Sequence, residues 1–143
     1  MVIKRALVIG SLMFPVSLIT VDIGAMITGI DLASTYPANI PGSMWILGNA
    51  SAAILGAAGS WWYFKSPETS AGAVSGLYLG LIACALGIVF DGAALLSQKN
   101  GLDILLAYFT MPQYWSASVL ILSASAITGR LAERRAAANK INK

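Results

Sequence analysis

The sequence predicts an all-α polytopic membrane protein, a bundle of four transmembrane helices with both termini in the cytoplasm. Three observations carry that prediction. Of 143 residues, 57% are hydrophobic and 10% charged, with a mean hydropathy of +0.75, more apolar surface than a soluble core of this size can bury. The apolar residues fall into four runs, 6–30, 43–64, 70–97 and 102–129, separated by short stretches rich in Pro, Gly, Asn and Lys. Finally, Lys4, Arg5, Lys65, Arg130, Arg134, Arg135, Lys140 and Lys143 share one side of such a membrane, and Lys99 alone stands on the other. The positive-inside tendency makes the first side cytoplasmic. The chain has no linker long enough to separate domains, so 1–143 reads as a single integral domain with a basic tail, 130–143.

Lys4 and Arg5 precede the first run, whose ~25 residues make ~37 Å of helix, enough to cross a hydrocarbon core of ~30 Å. Its length, Pro15, Asp22 and the lack of a small-residue cleavage site before Asp31 set it apart from a signal peptide, so it is read as a retained span. Tyr36, Pro37, Asn39, Pro41 and Gly42 then form a loop that the prolines keep from continuing the helix. The second run has a small residue at every fourth position, Gly48, Ala52, Gly56 and Ser60, and ends at Trp61, Trp62 and Tyr63, an interfacial aromatic girdle. Asn49, Ala50 and Ser51 spell a glycosylation sequon, discounted because it lies inside the run.

The third run carries Gly72, Gly76, Gly80 and Cys84 at the same spacing, which places them on one helix face and marks this helix as the packing spine. Two such rows invite the second and third helices to pack on each other or on another copy. Cys84, the only cysteine, reads as a small packing residue. Pro112, about a third of the way along the fourth run, should kink that helix near Tyr108 and free a carbonyl for another partner. The Ala-rich tail is read as a surface helix that frays, with lipid-headgroup contact as the alternative. Met13, Met26, Met44 and Met111 are expected to fill the core.

Function is sought among polar side chains inside the spans, because a carboxylate there costs ~2.5 to 3.5 kcal/mol on insertion scales and is kept for a partner, a cavity or a ligand. Counted from the span midpoints, Asp22 lies ~6 Å and Asp91 ~10 Å toward the outer side. Asn49 and Tyr108 fall at similar depth, so each span sets one polar group in the outer half. These groups could simply hydrogen-bond to one another and knit the bundle. Alternatively, two neighbouring carboxylates in a low dielectric share a proton or a cation, and Asp22 and Asp91, with Tyr108, become acid/base or proton-carrying candidates. Asn49, Gln113, Tyr114 and Trp115 are the candidate ligand-binding residues, although aromatic residues in such helices more often pack or face lipid.

The chain resembles an uncharacterised family of small four-helix prokaryotic membrane proteins, known only as a domain of unknown function. The resemblance is carried by Lys4-Arg5-Ala6, Gly10 and Phe14-Pro15 with Ser17 in the first span, Tyr63-Phe64-Lys65 closing the second, Gly80 and Asp91 in the third, and Tyr108-Phe109 with Tyr114 in the fourth. It implies topology and no activity. Asp22 has no counterpart in that pattern.

The expected function is therefore binding of a small lipophilic or cationic ligand, or a proton, at an outer-half cluster around Asp22 and Asp91, in a transport-like role. An acid/base isomerase or cyclase acting on a lipophilic substrate, or an accessory subunit of a larger membrane complex, are the rivals. Partners are the lipid bilayer of the cell membrane, a lipophilic small molecule, and a second copy or a larger complex. Absence of histidine, of metal-ligand spacing, of a phosphate loop and of a paired nucleophile and base argues against metal, cofactor and soluble-enzyme chemistry, and the charge pattern against nucleic acid.

Overall fold

A computed structural model describes residues 2–30 and 41–141, and at Gln113, Lys140 and Ile141 the backbone alone. Its described residues are helical without strands: α1 (Ile3–Thr28), α2 (Gly42–Phe64), α3 (Ala73–Leu96), α4 (Gly101–Thr110) and α5 (Pro112–Ile141). Three stretches, α1, α3 and Tyr114–Asn139 of α5, are long and apolar enough to cross a membrane. The 23 residues of α2 match them in length, but its Gly, Ser and Asn residues dilute its apolar character.

α1 runs unbroken through Pro15 and stops at Gly29, whose φ of 69° puts it in the left-handed region that ends helices. At its other end, the backbone N–H of Val2 donates to the Tyr63 hydroxyl at 2.9 Å, and an Arg5 Nη2–H donates to the Trp62 carbonyl at 2.7 Å. One bond supplies an acceptor to the start of α1, the other a donor to the end of α2. Tyr63 is thus fully buried against Ala6, Ile9 and Leu79. It is core, not a member of the aromatic girdle expected of it; Trp61 and Trp62 remain exposed, and Arg135 stacks over the Trp61 ring at 5.3 Å. These contacts bring the start of α1 and the ends of α2 and α5 to one basic end of the bundle.

Around the bundle the order is α1, α2, α5, α3, so α2 and α3 occupy opposite corners. The two small-residue rows consequently do not pack on each other, as one reading of the spacing expects. Both close on α5. A Cβ added at Gly76 would collide with the Ser125 carbonyl and the Ala126 Cα, and one at Gly80 would stand 3.2 Å from the Leu122 Cα. From the other corner, a Cβ at Gly56 would stand 3.2 Å from the Ile121 Cα, and Ser125 Oγ–H donates to the Gly56 carbonyl at 3.4 Å. Cys84 continues the α3 row, its Sγ 3.8 Å from the Ser118 carbonyl. The spine is therefore α5, seated between two grooves of small residues, and α3 supplies one of them.

The fourth run is not one kinked span but two helices. Met111, at φ −75° and ψ 125°, is extended as the residue before a proline prefers, and the helix breaks there. The Met111 N–H donates to the Tyr108 carbonyl at 3.2 Å, and the indole Nε1–H of Trp115 donates to the Phe109 carbonyl at 2.9 Å. The carbonyl freed by Pro112 is thus satisfied locally. Beyond Gly129 the helix continues to Ile141 as expected of the tail. Of the methionines expected in the core, Met44 is buried whereas Met26 is 80% exposed.

Candidate ligand cavity

At the end opposite the basic residues the helices separate around a partly open cavity of about 480 Å³. Large rings hold it open. Phe14 of α1 stacks on Phe90 of α3 with centroids 4.9 Å apart, and Tyr108, Phe109 and Tyr114 meet edge to face across the Pro112 break at 4.7 to 5.6 Å. A small residue sits inside the same ring of helices without closing it: among the described residues, a Cβ at Gly48 would touch nothing within 4 Å.

Asp22, Asp91, Asn49, Tyr108 and Tyr114 all line this cavity, so the polar groups of four sequence segments converge on one space. Asp22 comes from the last turns of α1 and is exposed; Asp91 comes from the last turns of α3 and is half-buried. Neither carboxylate is tied by a hydrogen bond or ion pair among the described residues. Asn49 is held in place, since Ser116 Oγ–H of α5 donates to its Oδ1 at 2.9 Å. Tyr108 and Tyr114 are buried in the cluster with Leu95.

Trp115, expected among the ligand-binding residues, is not in the cavity wall. It is 48% exposed, and its indole is spent on the Phe109 carbonyl. Gln113 is expected there too; its side chain lies outside the described residues. Wall residues that sequence alone does not single out include Phe14, Trp45, Gln98 and Ser118. Helical spacing points to two of them: Trp45 lies one turn before Asn49, and Phe14 two turns before Asp22.

The lining is graded along the bundle axis. Toward the basic end it consists of Gly10, Met13, Leu55, Ala83 and Ile121; toward the other end, of Asp22, Asn49, Asp91, Gln98 and the two tyrosines. Asp22 stands 12 positions along α1 from Gly10, or ~18 Å at helical rise, so the gradient extends over the length of a drug-sized molecule. Among the described residues no group of three His, Cys, Asp or Glu could hold a metal ion. Comparison with protein-family models, with characterised proteins and with solved structures gives no match.

Proposed function

We propose that the chain is a four-span membrane protein with both termini cytoplasmic, and that its cavity binds a small lipophilic cation in the outer half of the bilayer, in a transport-like role. The crossings are α1, α2, α3 and α5. α2 makes ~34 Å of helix, enough to span, whereas the 10 residues of α4 make ~15 Å and cap the outer end. The family resemblance fits this topology and adds no activity to it.

The observation that carries the reading is the graded lining, with two carboxylates and three aromatic rings at one end and an apolar recess at the other. Trp45, Tyr108 and Tyr114 offer ring faces that attract a cation, the carboxylates neutralise it, and the recess receives its apolar body. Exchange of the cation for a proton on the same carboxylates couples uptake to release. An accessory subunit needs no ionisable cavity, and the small-residue rows are engaged by α5 within one chain at Gly56, Gly76 and Gly80.

The same one-ended polarity favours a second reading, an acid/base enzyme in which Asp22 or Asp91 protonates a lipophilic substrate oriented by Tyr108 and Asn49. Turnover separates the two.

Tetraphenylphosphonium binding in nanodiscs, measured against the uncharged triphenylphosphine oxide, tests the reading. Saturable binding of the cation, weakened about tenfold or ~1.4 kcal/mol in Asp91→Asn, is expected. Equal binding of both compounds by the parent and by an Asp22→Asn, Asp91→Asn double variant would remove the carboxylates from the function.

A further inference from the structure

A second concavity, about 280 Å³, lies at the basic end between α1 and α2, far from the acidic cavity. Its walls are Lys4, Arg5, Val8, Ile9 and Trp62. Two cations occupy one turn of α1, and the next turn into the bilayer offers only aliphatic side chains. That succession matches a phospholipid, an anionic phosphate above an acyl chain. Arg5 is oriented in the groove: one Nη donates to the Trp62 carbonyl at 2.7 Å, and its Nε is closed off from solvent. Its free Nη–H groups and the exposed Lys4 ammonium are the donors for a phosphate. Val8 and Trp62 are 57% and 51% exposed, surfaces that a glycerol backbone and the top of an acyl chain would cover. Among the described residues, no acidic side chain lines the groove to oppose an anion.

We infer that this groove is a binding site for an anionic phospholipid of the cytoplasmic leaflet, its phosphate held by Lys4 and Arg5 and its acyl chain laid along Val8 and Trp62. The site is independent of whatever the acidic cavity binds. Occupancy would also cover the junction at which Arg5 ties α1 to α2, so the lipid should stabilise that junction.

Native mass spectrometry of the full chain, titrated with phosphatidylglycerol, phosphatidylcholine or inorganic phosphate, tests the assignment. One phosphatidylglycerol should bind at least fivefold more tightly than phosphatidylcholine. Lys4→Glu, a change at an exposed side chain, should bring phosphatidylglycerol down to the phosphatidylcholine level, and Lys99→Gln at the other end should leave it unchanged. Arg5→Gln, which also breaks the tie to α2, should act in the same direction as Lys4→Glu. Equal affinity for the two lipids, or a Lys4→Glu protein that retains the preference, overturns the site. Displacement of phosphatidylglycerol by inorganic phosphate at millimolar concentration overturns the lipid assignment and leaves a site for a free anion.

Discussion

The two halves of the bundle use the same sequence device and come out differently. Toward the basic end, Gly56, Gly76 and Gly80 let the backbone of α5 approach two neighbours so closely that an added methyl group would collide at Gly76 and stand in tight contact, 3.2 Å, at the other two. Toward the other end, Gly48 continues the α2 row, yet none of the described residues approaches it, and the space is a cavity of about 480 Å³. The difference lies in what faces the small residues. α5 presents Leu122, Ser125 and Ala126 to the basic half, whereas the other half is propped by Phe14 on Phe90 and by the aromatic cluster around the Pro112 break. A stripe of small residues therefore permits close packing without imposing it, and the size of the opposing side chains decides.

The largest effect should follow from filling the closed half. Gly76→Leu directs its side chain at the Ser125 carbonyl and should cost at least the ~1 to 3 kcal/mol typical of overpacking, read as lost resistance to unfolding in detergent. The matching change in the open half, Gly48→Ala, should cost nothing measurable by the same assay. If the two variants fall equally, the contrast between the halves is wrong.

A smaller effect is expected at Trp115, whose indole satisfies the Phe109 carbonyl at the helix break. Trp115→Phe should lose ~1 kcal/mol of stability while leaving cation binding intact, because the ring is not in the cavity wall. The smallest effect should be at Ser60, a buried hydroxyl with no hydrogen-bond partner among the described residues. Ser60→Ala removes an unsatisfied polar group and should match or exceed the parent's stability.

Much of this is legible in sequence. Hydropathy runs and Gly/Pro punctuation place α1, α2 and α3 within a few residues of where they lie, and the positions of Asp22, Asn49, Asp91 and Tyr108 along their helices anticipate that they line one cavity. Spacing within one helix, however, reports which residues share a face and is silent on which helix covers that face. That is why spacing pairs the two rows with each other while α5 in fact fills both, and why Tyr63, grouped with its indole neighbours as a girdle, instead caps the start of α1. Pro112 by itself implies a kink; the extended Met111 and the indole of Trp115, six residues on from Phe109, make it a break, and that partnership depends on the turn itself.

The central claim is that the acidic end holds an accessible cavity while the other half is closed, and thiol accessibility tests it directly. In a Cys84→Ser background, single cysteines at Asn49→Cys, Asp91→Cys and Ser125→Cys would be exposed from each side of the membrane to an impermeant methanethiosulfonate bearing a trimethylammonium group. Positions 49 and 91 should react from the outer side and be protected by tetraphenylphosphonium, while position 125, where the native serine is 1% exposed, stays unreactive. Reaction at 125 as fast as at 49, or labelling of 49 and 91 from the cytoplasmic side alone, would contradict it.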